Sequence, residues 1–230
     1  VEEKLEPGAV ENGIIVNELA FKKALVNLKK KTNGFNRFVV LSLPTMGVHT
    51  RLYLFPQFMK KEKITEAVKL SIDFQLPMKP ENIYWDWEQF NDQNQSIAFL
   101  AVTERAYIDK YIKVFGEAGW NIVAIEFYAI SLTRAMKSFE QDYGLLVDCR
   151  IDGITITAIK NNIIHLSRFV PVKISSKLSD LKNEVEGMLQ YFQVEIGEQI
   201  KKIYFTGDNA QNWFAPEPIF PNSQLISAGE

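Results

Sequence analysis

Cysteine and histidine are almost absent from this chain. The single Cys149 excludes an internal disulfide framework and a four-cysteine metal site, and so little cysteine use indicates a reducing compartment. The two histidines, His49 and His165, each lie in a strand-like segment, without a Gly-x-Ser-x-Gly nucleophile turn. His-Glu-x-x-His, Cys-x-x-Cys, Gly-x-Gly-x-x-Gly and Walker spacings are also missing. Acid–base catalysis by paired carboxylates stays open because Asp and Glu are plentiful, but no motif specifies a reaction or a metal site.

An excess of positive charge and a long apolar run are lacking as well. The net charge of -2 and the pI of about 5.9 argue against a nucleic-acid partner, which needs a basic surface. Lysines cluster at 29–31 and at 60, 61 and 63, beside helix ends, where a solvated cationic surface is favoured over a phosphate site. The longest apolar run, at 97–102, is far shorter than the ~20 residues of a membrane-spanning helix. We also find no signal peptide in the sequence.

The apolar pattern that is present predicts an α/β protein. From Phe38 to Ile125 it gives the order β-β-α-β-β-α-β, with Thr103 as the N-cap of the second helix and Gly119 at its end. Five side chains on the two helices are predicted to face a sheet: Ile64, Ile72, Ile108, Ile112 and Phe115. The segment 38–43 is nearly all apolar, which predicts burial on both faces.

The flanking segments complete the prediction. Before this unit we expect a short strand, an Asn-Gly turn at Asn12-Gly13 and a helix that ends at Gly34. After it we expect a helix from Ala129, three strands that turn at 161–162, a helix over 181–196 and a strand over 203–206. The proline-rich tail after Trp213 is predicted to be irregular.

Three segments in order resemble the PilM family of actin-fold proteins from type IV pilus machines. They are LEPGAVENG at 5–13, LPMKPENIYWD at 76–86, and AGWNIVAIE at 118–126 followed by a helix over 129–135. The resemblance implies an actin-like (ribonuclease H-like) α/β fold with an inserted small subdomain and a reduced second half. It assigns 1–35 and 126–170 to the first half, without its N-terminal hairpin, 36–125 to the insert and 171–230 to the second half.

In that family ATP is held by backbone amides of glycine-containing loops, with a nearby carboxylate for Mg²⁺. Here Asp148 remains, but Arg150 replaces a glycine, Lys173 stands in a turn that has lost both of its glycines, and Gly207-Asp208 replaces a Gly-Gly pair. With Thr155, these residues form a vestigial nucleotide site. We therefore expect no bound cofactor, no catalytic residue and no enzymatic activity. The alternative is a surviving ATPase of this superfamily that binds ATP with Mg²⁺ and uses Arg150 and Lys173 as phosphate contacts.

By the same resemblance, the chain is a cytoplasmic scaffold, peripheral to the inner membrane. Its partner would be the N-terminal cytoplasmic peptide of a PilN-like membrane protein, held in a groove beside the insert. We nominate Arg51, Tyr53, Tyr84 and Trp87 for that groove, and core packing is the competing interpretation for each. Tyr84 and Trp87 lie three apart on a predicted strand and hence on opposite faces. The second alternative is a domain like the cytoplasmic part of GspL, whose partner is a secretion ATPase; oligomeric state stays open.

Overall fold

The computed structural model describes residues 1–32, 37–76, 78–92, 95–135, 143–150, 153–171, 178–211, 220 and 222–226. The chain is a mixed α/β protein that divides into two compact units, residues 1–128 and 129–230. Over the described ranges, no helix is both long enough and apolar enough to cross a membrane.

Unit 1 opens with a small hairpin and a capped helix. Strands β1 (Val10–Glu11) and β2 (Ile14–Ile15) pair through Asn12 and Gly13, whose φ angles of 51° and 76° suit a tight left-handed turn. Helix α1 (Glu18–Lys31) follows, and the Asn17 side chain caps it by accepting a hydrogen bond from the Ala20 amide. The helix ends at Lys31, and the predicted terminator Gly34 lies outside the described residues. Strand β3 (Phe38–Leu43) comes next.

The inner part of the predicted insert, residues 48–104, forms a three-stranded antiparallel sheet with a helix on one face, and we call this part the insert. Strand β4 (Val48–Pro56) leads to helix α2 (Lys61–Gln75), and strands β5 (Ile83–Asp92) and β6 (Gln95–Glu104) form a hairpin. The sheet order is β4-β6-β5. Ile64, Val68 and Ile72 of α2 are buried, as their four-residue spacing predicts, and they pack on β6.

Helix α3 (Arg105–Glu117) and strand β7 (Asn121–Phe127) follow, β7 pairs with β3, and the predicted β-β-α-β-β-α-β order is complete. Gly119 ends the helix with φ of 80°, and the Trp120 amide donates to the Phe115 carbonyl oxygen, as expected for a glycine C-cap. The predicted cap Thr103 is wrong. Glu104 is the N-cap, while Thr103 lies in β6 and donates its hydroxyl to the Gly47 carbonyl oxygen.

Strands β3 and β7 form a parallel pair, and helices α1 and α3 cover one face of this pair. The predicted two-sided burial of 38–43 is wrong: Phe38 and Val40 are 61% and 59% exposed, because both helices lie on the opposite face of the pair. Ile112 is also wrongly predicted to face a sheet, since it is 45% exposed, whereas Ile108 and Phe115 are buried.

Unit 2 is built around one five-stranded sheet. Helix α4 (Tyr128–Ala135) is followed by the meander β8 (Gly144–Cys149), β9 (Gly153–Lys160) and β10 (Ile163–Pro171), then by helix α5 (Leu178–Ile196). Strand β11 (Lys202–Thr206) pairs in parallel with β8, and β12 (Ser223–Leu225) pairs in parallel with β11. The sheet order is β10-β9-β8-β11-β12. Asn161 and Asn162 both have positive φ in the predicted turn.

The core of this unit joins β8, β9 and β11 to the apolar stripe of α5, in which Val185 and Phe192 are fully buried. Strand β12 falls in the tail that was predicted to be irregular, so that prediction fails over 223–225. A pattern of three residues is too short to predict a strand. Strand β12 is defined instead by its pairing with β11.

Strands from the predicted segments 126–170 and 171–230 share one sheet. Strand β11 lies beside β8 with a parallel register from Lys202↔Gly144 to Thr206↔Asp148. The meander and the C-terminal strands therefore belong to one hydrogen-bonded sheet, and the two compact units of the chain meet at residue 128.

Candidate functional site

The vestigial nucleotide residues Asp148, Arg150, Thr155 and Gly207 meet where the parallel strands β8 and β11 of unit 2 end, and we call this place the phosphate corner. Asp148 is opposite Thr206 on one side and opposite Thr155 of β9 on the other. Because parallel neighbours end at the same edge of a sheet, the loops that begin at Arg150 and at Gly207 share this edge. Lys173, the remaining member of the set, lies outside the described residues.

Asp148 is a buried carboxylate with a cationic neighbour. Its side chain is 1% exposed, and its Oδ2 accepts a hydrogen bond of 2.9 Å from Nε of Arg150, whose side chain is 47% exposed. A charge withdrawn from water is costly unless it is paired and hydrogen-bonded. Arg150 thus lies against the carboxylate, and its own amide donates to the Gly153 carbonyl oxygen, which closes the turn between β8 and β9.

Gly207 brings the second loop onto the first. Its φ is 96°, and a Cβ built there would lie 2.5 Å from Oδ1 of Asp148 and closer still to the Cys149 carbonyl oxygen. The Asn209 amide donates a 3.0 Å hydrogen bond to that carbonyl oxygen. Glycine is therefore required by the contact between the two loops, while the neighbouring Asp208 is exposed.

Cys149 follows Asp148 and is fully buried as a free thiol. Burial, and secondarily the charge of Asp148, raise the pKa of the Cys149 thiol to about 12. The thiol therefore stays protonated at neutral pH, and this cysteine is not placed as a nucleophile. In the part of the chain that the structure describes, no group of three His, Cys, Asp or Glu side chains is arranged to hold a metal ion.

The four residues nominated for partner binding are divided between the two faces of the insert sheet. Arg51 and Trp87 are both opposite Leu100, and Tyr53 is opposite Ala98, so these three share the face that α2 covers. Trp87 and Tyr53 are half-buried against that core, and Arg51 is exposed. Tyr84 lies on the other face, as its three-residue separation from Trp87 predicted.

Tyr84 belongs to a polar cluster that joins the start of β5 to the start of α3. Its hydroxyl donates a 2.9 Å hydrogen bond to Oδ1 of Asp109, and the Arg105 guanidinium carbon lies 4.1 Å from its ring centroid. Arg105 is fixed in turn by the carbonyl oxygens of Glu81 and Ile83, at 3.1 and 3.3 Å. The ring is 37% exposed, so it remains open to a ligand.

Beside this cluster lies a pocket of about 570 Å³. Its lining residues come from the turn before β5 and from the first turns of α3: Met78, Lys79, Asn82, Glu104, Arg105, Ala106 and Asp109. Sequence reasoning missed Arg105 and Asp109. The available signal was their four-residue spacing at the start of a helix that follows directly on a strand, which places both side chains on one side of the helix.

No protein-family model matches the chain, and no curated protein matches it. Its structure is similar to that of the PilM-PilN type IV pilus biogenesis complex, with a TM-score of 0.74 and 13% identity over 96% of this chain and 78% of that one. It is also similar to Cyto-EpsL, the cytoplasmic domain of an inner membrane component of the type II secretion system of Vibrio cholerae. That match has a TM-score of 0.56 and 12% identity, over 90% of this chain and 71% of the other. The chain has the actin-like α/β fold that the resemblance implied.

Proposed function

We propose that this protein is a non-catalytic adaptor of a type IV pilus or related secretion machine, which holds the cytoplasmic segment of an inner-membrane partner. The observation that carries the proposal is the structural likeness to the PilM-PilN complex over 96% of the chain. By analogy with that complex, the partner is a PilN-like protein. In this role the adaptor would lie on the cytoplasmic side of the inner membrane, as a peripheral component.

The pocket beside Tyr84 offers a place in unit 1 for an extended peptide. Tyr84 offers a partly exposed aromatic ring, and Arg105 and Asp109 offer charges of both signs within the same cluster. Strand β5 is a terminal strand of its sheet, so a peptide could align along it through main-chain hydrogen bonds. A side chain of the peptide would then enter the pocket of about 570 Å³.

The phosphate corner supports an adaptor rather than an ATPase. A Mg²⁺-nucleotide complex needs a free carboxylate and a backbone open to phosphate oxygens. Here Arg150 is hydrogen-bonded to Asp148, and Gly207 is packed against the backbone of Cys149. The carboxylate of Asp148 and the backbone at Gly207 are thus engaged in contacts within the protein. We propose that the protein neither binds nor hydrolyses ATP.

A GspL-like role is the second candidate, and the similarity to the cytoplasmic domain of EpsL favours it. The partner would then be the secretion ATPase. The two adaptor functions differ in the chemistry of the partner, a short extended segment in one case and a folded domain in the other. Binding experiments with both kinds of partner distinguish them.

Fluorescence anisotropy with a labelled N-terminal peptide of a PilN-like protein tests the adaptor proposal. We expect Tyr84→Ala to weaken binding by at least ~10-fold, as for an aromatic contact at the centre of an interface. Phe74→Ala is the matched control, because Phe74 is an exposed aromatic residue of α2, which covers the other face of the same sheet, and this variant should bind with unchanged affinity. Absence of binding by the wild-type protein, together with capture of a secretion ATPase, would favour the GspL-like role.

Calorimetry and thermal shift with Mg-ATP test the non-catalytic part. We expect no heat and no rise in melting temperature, since a ligand that binds the folded state raises stability by RT ln(1 + [L]/Kd). A micromolar Kd would overturn this part and restore the ATPase alternative. Peptide binding in the absence of ATP would still stand, so the two parts fail independently.

A further inference from the structure

The end of the insert where β4 passes into α2 carries exposed apolar and cationic side chains together. We define this tip as Leu54, Phe58, Lys60, Lys61 and Lys63. Phe58 is 87% exposed and Leu54 is 61% exposed. The three lysines are exposed as well, and they follow Phe58 within five residues of the chain. Large apolar side chains this exposed contribute nothing to the core of the insert.

The lysines of the tip do not stabilise helix α2, which begins at this point. Lys60 is the N-cap of α2 and makes no side-chain capping hydrogen bond, and Lys61 and Lys63 lie in the first turn. The helix dipole disfavours cations at this end, where Ser, Thr, Asp or Asn normally caps. Helix α1 of the same chain has the favourable arrangement, with Asn17 as the cap and three lysines in its last turn. The sequence of the tip therefore costs stability.

Two of the lysines of the tip have contacts within the protein. Lys63 pairs with Glu66 at 2.9 Å, an exposed ion pair that holds neither side chain firmly. Nζ of Lys61 lies 5.8 Å from the centroid of the Trp87 ring. Glu62 is the acidic residue of the first turn, so 60–63 keeps a net positive charge.

We infer that the tip is a docking surface for an anionic lipid membrane. Phe58 and Leu54 would enter the headgroup region, and Lys60, Lys61 and Lys63 would meet the lipid phosphates around them. An aromatic side chain flanked by lysines is suited to such an interface, where apolar burial and charge attraction add. A nucleic acid fits less well, because it favours a series of aromatic rings along a basic groove, and Phe58 is the one aromatic residue of the tip. The inference goes beyond the proposed function and uses residues outside the peptide pocket.

The test uses the full chain and lipid vesicles of two compositions. One set is phosphatidylcholine alone, and the other contains about one-third phosphatidylglycerol in phosphatidylcholine, which gives a negative surface potential. We expect co-sedimentation with the anionic vesicles to exceed that with the neutral ones by at least ~5-fold, and to fall as salt is added. Equal binding to both compositions, or binding to neither, would overturn the inference.

Two variants assign the binding to the tip. Lys60→Asp with Lys61→Glu should reduce vesicle binding by at least ~10-fold, because each lysine contributes to the attraction. The same variant should keep or raise the melting temperature, since it supplies an N-cap and a favourable first-turn charge. A purely structural role for these lysines predicts the opposite change in melting temperature. Phe58→Ala should weaken binding at constant charge.

Matched controls come from the same unit. Phe74 is 83% exposed near the other end of α2, and Phe74→Ala should leave vesicle binding unchanged. Lys30 and Lys69 are exposed lysines outside the tip. Lys30→Asp with Lys69→Glu changes the net charge by the same amount as the tip variant and should leave vesicle binding unchanged. Equal losses in the tip and control variants would show non-specific attraction and overturn the inference. The inference would also be overturned if the protein bound single-stranded DNA but not vesicles, and if the Lys60→Asp/Lys61→Glu variant lost that DNA binding.

Discussion

Gly207 sets the distance between the two loops of the phosphate corner. We expect Gly207→Ala to lower the free energy of unfolding of unit 2 by more than ~2 kcal/mol, because the residue has positive φ and the new Cβ would collide with backbone. The collision is with the Cys149 carbonyl oxygen and amide nitrogen, which cannot rotate away as a side chain would. Urea denaturation followed by circular dichroism measures the change.

Gly187 is the control for that substitution. It lies exposed in α5 of the same unit, and a Cβ built there meets no atom within 4 Å. Gly187→Ala should therefore stabilise the helix by about 0.5–1 kcal/mol. If both substitutions destabilised the unit equally, the effect at 207 would not arise from the contact with Cys149.

Cys149 provides a pH-dependent probe of the same corner. Burial raises the pKa of the Cys149 thiol from its ordinary value of 9.0 to about 12 in the folded protein. The thiol's contribution to stability is therefore complete below pH 9 and is lost as the pH rises towards 12. We expect stability to fall over this interval, and Cys149→Ser to reduce the slope. Native protein at pH 8 should react with a thiol reagent at the rate of unfolding; rapid labelling would contradict the burial.

At this scale the sequence predicts which residues are near the corner, but not how they interact. Asp148, Arg150 and Gly207 were selected by resemblance, and the structure brings all three to one edge. The hydrogen bond from Arg150 to Asp148 could not be predicted, because it depends on the direction of the turn at 150–153. Arg105 and Asp109 were missed because their importance comes from Tyr84, twenty or more residues away in the chain.

Helix α2 shows how one apolar stripe stabilises an element of the insert. Ile64 is fully buried and Leu70 is 56% exposed on the same helix. Ile64→Ala should cost about 2–5 kcal/mol by loss of packing against the small sheet, whereas Leu70→Ala should change stability by less than ~0.5 kcal/mol. Thermal melts of the two variants compare them directly. A similar loss for both would place α2 in a different orientation on the sheet.

The type and order of the elements are largely predictable because their patterns are local. The stripe of α2, the Gly119 cap and the 161–162 turn each depend on residues a few positions apart. The predictions fail where the structure of a segment depends on a partner that is distant in the sequence. Whether one or both faces of β3 are buried depends on where α1 and α3 pack, and β12 exists through its pairing with β11. Tertiary context of this kind overrides a local pattern.

Unit 2 has a sheet, a covering helix and a hydrophobic core of its own, as an independent domain does. Its sheet of five strands is covered by α5 over a continuous core that includes Val147, Ile156 and Phe205, all fully buried. We expect residues 129–230 to fold alone, with a cooperative thermal transition and a Cys149 that stays protected from thiol reagents. A non-cooperative melt or a freely reactive Cys149 in this fragment would show that its stability depends on residues 1–128.

The pairing of β12 with β11 has a consequence for synthesis on the ribosome. A central strand of this sheet, β8, is made more than fifty residues before its parallel neighbour β11, and β12 is made after both. Until residues 223–225 have emerged, the outer edge of β11 presents unpaired backbone groups of an apolar strand. Such an edge can recruit strands from neighbouring nascent chains. Stalled chains that end before β12 should therefore be the species that chaperones retain.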